Sequence, residues 1–450
     1  LERSKAAPRG GARAGYNAAG RRKVDPSNPA DVEYMRRMYP DFDEVMVNAD
    51  VDYRTRCHTD ANFASKFAIP PVVEAARVFA EHTNSVDAVC WGPSPDSFLT
   101  GSHDGTLKIW DAKSGRCTET LTGHGGGVYH CAVSRDGRHI ISCGSGESRS
   151  VLLWKWDTKK VCHDLSKCHR RPVVHAALSP DGALAATADQ EGTICINDLA
   201  SGKCTLQRTM HCGVAQGSSF CPEDPHLLLS VGADSALQLL DLREAMTPQA
   251  WRLPSAAANV VKFNASLCVY RAHDGYEVKA VEFVDRQTAF TVGADHKLKR
   301  WDLRAAPKCE AEYLGHTGPI RALAVSPDSK FVVTGCEDGS CRVWAKDPLA
   351  NAKASLARLR AQLKEAELSP QDPGLAQKRA GAREAISAAR TREEQLVRNG
   401  YHTASLTLHG HSGIVSGVAW RGDGVDRASI LTSAWDQTAR LFSVDLRECT

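Results

Sequence analysis

Short bursts of alternating hydrophobic and polar positions, broken by tight turns, run through residues 315–344. Gly315-His316 opens a turn, and Ile320, Leu323 and Val325 mark a first strand. Ser326-Pro327-Asp328 turns the chain, Phe331 to Thr334 form a second strand, and Glu337-Asp338-Gly339 leads into a third ending on Trp344. Period-two alternation between Gly, Pro and Asp turns predicts an antiparallel meander. The frame recurs. Its histidine falls at His82, His124, His169, His211, His273, His316 and His411. The third strand ends at Trp110, Trp154, Asn197, Leu240, Trp301, Trp344 and Phe442. The two series are separated by 28, 30, 28, 29, 28, 28 and 31 residues, a spacing that marks an internal repeat.

Six residues before the strand end sits Asp104, Glu191, Asp234, Asp295, Asp338 or Asp436, with Ser148 in the longer second repeat. Four residues earlier again stands Thr100, Thr187, Ser230, Thr291, Thr334 or Thr432, and the second repeat has Ser142. With the Gly-His, Trp-Asp and Ser-Pro-Asp dipeptides, this pattern resembles the WD-repeat family of β-propellers over roughly residues 72–450. The resemblance implies an all-β fold: a seven-bladed propeller of four-stranded antiparallel blades. It also implies that Trp donates to the Ser/Thr hydroxyl, which bonds His, which bonds Asp. An unpaired group there would cost about 1–3 kcal/mol. Complete sets are expected in blade one (His82, Thr100, Asp104, Trp110), blade five (His273, Thr291, Asp295, Trp301) and blade six (His316, Thr334, Asp338, Trp344). Blades three, four and seven lack the Trp and are expected to rely more on packing.

In that family the last blade borrows its fourth strand from the N-terminal side, so Ala76–Ala80 is expected to pair with residues 439–443. Closure removes the open sheet edge. Two departures interrupt the frame. A detour follows Asp241, and residues 347–402 place Leu356, Leu359 and Leu363 on one helical face. Ser369-Pro370 then breaks that face before a second helix with Leu375, Ile386 and Leu396. That insert is expected to be a helical hairpin between strands of blade six, packed on the propeller or on a partner.

Composition adds bounds. The chain has 450 residues, 42% hydrophobic and 24% charged, enough to bury a large core. Seven basic residues against Glu2 alone in residues 1–23 make residues 1–27 a basic tail, expected to be disordered, with a transit-peptide remnant or an anion-binding arm as alternatives. Residues 28–71 read as an acidic, partly helical extension. The chain starts on Leu1, so organelle import stays open, and the expected setting is otherwise an intracellular, reducing compartment. The 16 cysteines are scattered without a C-x-x-C pair and read as free thiols. No apolar run approaches the roughly 18 residues of a membrane helix.

Ser/Thr, His and Asp are triad residue types, but sets recurring in repeat after repeat read as structural. No phosphate loop, zinc-protease or dinucleotide motif occurs. The expectation is no enzyme, no cofactor and no metal, including at Cys162, His163, Cys168 and His169. Partners should be proteins or peptides, with nucleic acid a weaker possibility through the tail, and the chain a single propeller within a hetero-complex. The resemblance places partner contacts on the face of the His and Asp turns: Asp87, His103, Tyr129, Gln190, Lys279, Arg321, Glu337 and Trp435. Finally, Trp301-Asp302-Leu303-Arg304 resembles the W-D-x-R box of cullin–RING ubiquitin-ligase substrate receptors. The preceding blade has the variant Leu240-Asp241-Leu242-Arg243, making Asp241, Arg243, Trp301, Asp302 and Arg304 adaptor candidates.

Overall fold

Each repeat folds as an antiparallel sheet whose second strand is buried along nearly its whole length, because neighbouring blades cover both of its faces. Phe331–Cys336, for instance, is buried at every position, while the first strand Ile320–Val325 alternates buried and half-buried residues. The computed structural model describes residues 72–146, 148–245, 260–263, 266–269, 271–304, 308–348, 402, 404–422 and 427–446. It also describes nine positions between 353 and 390. The chain divides into two compact units, Leu1–Ala68 and Ile69–Thr450, and the described residues all belong to the second. The basic tail and the acidic extension therefore lie outside the described residues. So does the helical hairpin as a unit, although the nine positions have helical backbone and Leu356 is buried.

The described strands form seven sheets, and their first strands neighbour one another in a closed ring. Those strands are Val86–Trp91, Val128–Val133, Val173–Leu178, Ala215–Phe220, Val278–Phe283, Ile320–Val325 and Val415–Gly422. The architecture is an all-β, seven-bladed propeller of four-stranded antiparallel blades. Turns between first and second strands are fixed by their own side chains. Ser326 Oγ donates to Asp328 Oδ1 (2.6 Å) and accepts from the Phe331 amide (2.9 Å). Ser134–Asp136 and Ser179–Asp181 repeat the arrangement.

Closure follows the expected pairing. Arg77–Phe79 pairs antiparallel with the last strand, Arg77 opposite Leu441 and Phe79 opposite Ala439, and the Ala76 amide donates to the Leu441 carbonyl at 2.8 Å. Phe79 then packs edge-on against Phe98 and Trp110 of blade one. Two fifth strands were not expected. Val72–Glu74 adds in parallel to Leu406–His409 at the rim of blade six, and Val260–Phe263, within the blade-four detour, pairs with Ser266–Val269. Among the described residues, no helix is long and apolar enough to cross a membrane.

Candidate functional site

The recurring polar set is an internal brace. In blade one Trp110 Nε1 donates to Thr100 Oγ1 (2.8 Å), which meets His82 Nε2 (2.8 Å), and His82 Nδ1 meets Asp104 (2.7 Å). Blade five repeats it at 2.8, 2.7 and 2.7 Å. In blade six the Trp344 and His316 links to Thr334 are 2.8 and 2.7 Å, while His316 Nδ1 stands 3.5 Å from Asp338. Trp110 and Trp344 are almost wholly buried. Burial pushes His82 and His316 below the usual imidazole range, His316 to about 4. Hydrogen bonding from Thr106 and His82 outweighs burial at Asp104 and brings it down to about 2. In these three blades the Trp, Thr and His are buried and bonded to one another inside the blade.

Two positions in the expected sets are corrected. In blade three His169 pairs not with Glu191 but with Asp189 (2.9 Å), at the end of the second strand. Asp189 is buried, and its other oxygen accepts from the Glu191 and Thr193 amides, both at 2.9 Å, so it closes the turn itself. Glu191, one methylene longer, reaches outward to Arg171 at 2.8 Å. In blade two Ser148 does not serve: His124 Nδ1 bonds the Arg149 carbonyl (3.0 Å), because the longer loop brings backbone into the carboxylate's place. Blade three is also not held by packing alone. Asn197 Nδ2 donates to Thr187 Oγ1 (3.2 Å), replacing the indole donor.

On the turn face, six of the eight expected contact residues come together across blades six, seven, one and two. Arg321 Nε donates to Glu337 (2.6 Å) and its guanidinium lies 5.3 Å from the centre of the Trp435 ring. Trp435 remains 47% exposed. Asp87 interacts with the indole, and its carboxylate lies 3.2 Å from His103 Nε2. The His103 ring in turn lies 5.1 Å from that of Tyr129. Burial raises Asp87 above the usual carboxylate range, and His103, Trp435 and Arg321 pull it back. The result is an exposed aromatic platform with charges fixed at its edge. Gln190 and Lys279 stand apart: the Gln190 amide bonds the Pro172 carbonyl, and Lys279 pairs with Glu277.

The adaptor candidates form two matching clamps. Arg243 grips Asp241 through two bonds (2.9 and 2.7 Å) and Arg304 grips Asp302 likewise (2.9 and 2.7 Å), with both guanidiniums exposed. Trp301, by contrast, faces inward as the blade-five donor.

Two groups of three metal-type donors are present among the described residues: Cys168, His169 and Cys195, and His316, Cys336 and Asp338. In each, the histidine already bonds the threonine of its blade. The first group is not the Cys162–His163–Cys168–His169 grouping weighed from sequence. Cys195 arrives instead from the third strand of blade three, with Cys204 beside it on the fourth. One signal could have shown this. At the position two residues before the strand end, five other blades place a long polar side chain (Lys108, Gln238, Lys299, Arg342 and Arg440) and blade two places Leu152. Lys299 Nζ and Gln238 Nε2 each donate to the carbonyl before the blade's histidine. Blade three has the short Cys195 there. All fourteen described cysteines are free thiols.

The family model for "WD domain, G-beta repeat" matches residues 74–111, 115–155, 160–198, 307–345 and 403–443. These fall on blades one, two, three, six and seven. Curated relatives include the nuclear distribution protein PAC1 of Arthroderma otae, 25% identical over 298 residues, 61% of this chain and 61% of that protein. PAC1 of Coccidioides posadasii is 26% identical over 284 residues, 61% of this chain and 60% of that protein. The guanine nucleotide-binding protein subunit beta of Oryza sativa subsp. indica is 21% identical over 321 residues, 70% of this chain and 69% of that protein. The chain spans about three fifths of the length of the first of these relatives.

Proposed function

The chain belongs to the WD-repeat family, and from that premise we propose that it is a non-catalytic scaffold subunit of a multiprotein assembly. It binds a protein or peptide partner across the turn face of blades six, seven, one and two. The observation that carries this reading is Trp435: half-exposed and flanked by Arg321 and Asp87, it is an aromatic anchor beside fixed charges. Trp, Tyr and Arg dominate interface hot spots, and charges already held in place lose little freedom on binding. One relative is by its name a subunit, which fits the same class. The non-catalytic part rests on the His–Thr–Asp sets being internal and repeated.

Affinity purification of the full chain, with mass spectrometry, tests the reading against a Trp435→Ala/Arg321→Ala variant. The expected result is loss of one set of partners, and binding to an isolated partner weakened by about tenfold or more. The melting temperature should be nearly unchanged, since both side chains lie at the surface. Unchanged partners in a folded variant would move the binding surface elsewhere.

A second reading, a substrate receptor of a cullin–RING ubiquitin ligase, is favoured by the matching Asp241–Arg243 and Asp302–Arg304 clamps on adjacent blades. An Arg243→Ala/Arg304→Ala variant separates the two. It should lose ligase adaptor subunits under this reading and keep every partner under the first.

A further inference from the structure

We propose that Cys168 is a peroxide-reactive thiol and that Cys195 resolves it into an intrachain disulfide at the edge of blade three. The sulfur atoms of Cys168 and Cys195 and a ring nitrogen of His169 lie within 4.8 Å of one another, and Cys195 Sγ is 4.0 Å from His169 Nδ1. A third thiol, Cys204, interacts with both sulfurs from the neighbouring strand. Access is graded: Cys204 is exposed, Cys168 half-buried and Cys195 buried.

The chemistry follows from what blade three does with its histidine. Asp189 bonds Nδ1 at 2.9 Å and Thr187 bonds Nε2 at 2.7 Å, as Asp104 and Thr100 do for His82, but in blade three thiols also stand beside the ring, where they would face a positive charge on it. Burial opposes that charge, but hydrogen bonds to Asp189 and Cys168 outweigh it and push His169 up to about 9. His82, His124 and His316 move the opposite way. Hydrogen bonding from Cys195, ahead of that from His169 and Cys204, brings Cys168 down to about 5 against the cost of burial. A thiolate beside an imidazolium is the nucleophilic form of cysteine. Asn197, in the Trp position, accepts from the protonated Cys168 thiol at 3.6 Å, a bond given up when the thiolate forms, so a small amide occupies the indole's place beside the sulfur.

The step balances as follows. The Cys168 thiolate attacks one peroxide oxygen, the O–O bond breaks, and the departing hydroxide takes a proton, leaving a sulfenic acid and water. The Cys195 sulfur then attacks the sulfenyl sulfur and the S–O bond breaks. The leaving hydroxide carries off the Cys195 proton as a second water. Two thiols are oxidised and one peroxide is reduced. The disulfide would staple the connection between blades two and three to the third strand of blade three.

The test uses the reduced full chain with one equivalent of hydrogen peroxide at neutral pH, alkylation of surviving thiols, and peptide mapping. A Cys168–Cys195 linked peptide should appear first, and dithiothreitol should reverse it. In Cys195→Ser, a cyclic 1,3-diketone should label Cys168 as its sulfenic acid. In Cys168→Ser, Cys195 should stay free over the same interval. Oxidation of Cys168 no faster than that of exposed Cys212, or a link between Cys195 and Cys204 with Cys168 free, overturns the proposal. Should a variant fail to fold, the wild-type chain still decides. Its Cys168 alkylation rate, relative to a cysteine-containing reference peptide, should rise about tenfold per unit as pH falls from 7.5 to 6. A flat ratio also overturns it.

Discussion

Blades one and three perform the same internal task with different residues. In blade one a buried indole, a threonine, a histidine and an aspartate in the turn form the chain of bonds. In blade three Asn197 replaces the indole, and Asp189 supplies the carboxylate from two positions earlier than the expected Glu191. The links to the histidine are nearly identical, 2.8 and 2.7 Å against 2.7 and 2.9 Å. The space is not. Phe79, Phe98 and Trp110 fill blade one with aromatic contacts, while blade three places thiols near its small amide. What the fold requires is a satisfied donor–acceptor chain at fixed register, and the volume around it is free to vary.

The comparison can be broken at its strongest point first. Trp110→Ala should cost about 3–5 kcal/mol of unfolding free energy in denaturant titration, since it removes a buried ring and a hydrogen bond together. A loss below about 1 kcal/mol would mean that the indole is not what holds blade one. Next, Asp189→Ala should cost about 1–3 kcal/mol, because the histidine and two turn amides lose their acceptor. Glu191→Ala should stay within about 0.5 kcal/mol. The reverse order would restore the linear frame over the geometry. Asn197→Ala should cost about 1 kcal/mol, less than Trp110→Ala because only a hydrogen bond and a small amide are lost.

The smallest effect is in pH. His82 has its folded pKa lowered, so its contribution is present above the unfolded value of about 6.5 and is lost as pH falls below it. His169 has its folded pKa raised, so its contribution is full below about 6.5 and is lost as pH rises through about 9. Imidazole NMR titration should therefore separate them on opposite sides of neutrality. Titration of both on the same side would remove the cationic partner from blade three.

The His, Thr and Trp positions were legible in the sequence because their bonds cross adjacent strands at fixed register. Thr100 lies opposite Lys108 and Trp110 opposite Phe98, so counting residues recovers geometry. Counting fails in turns. Asp189 and Glu191 both suit a carboxylate position, and only the backbone path decides which one faces the ring. The platform around Trp435 was legible residue by residue, but not its joining across four blades, nor the separation of Gln190 and Lys279. The thiol group was missed because its members come from a connection and two strands, with no short motif. The parallel strand Val72–Glu74 is too short for an alternation signal.

The pairing of Arg77–Phe79 with the final strand also sets an order of events during synthesis. The segment Arg77–Phe79 leaves the ribosome long before its partner Ala439–Leu441 exists, so the ring stays unlocked until the last blade has been made. Through that interval the nascent chain exposes both the unpaired strand and the flank of blade one that blade seven later covers. Such edges are where growing β-proteins misassemble. Premature termination within blade seven should therefore yield not a smaller propeller but an open arc with two reactive ends, a substrate for chaperones and proteases.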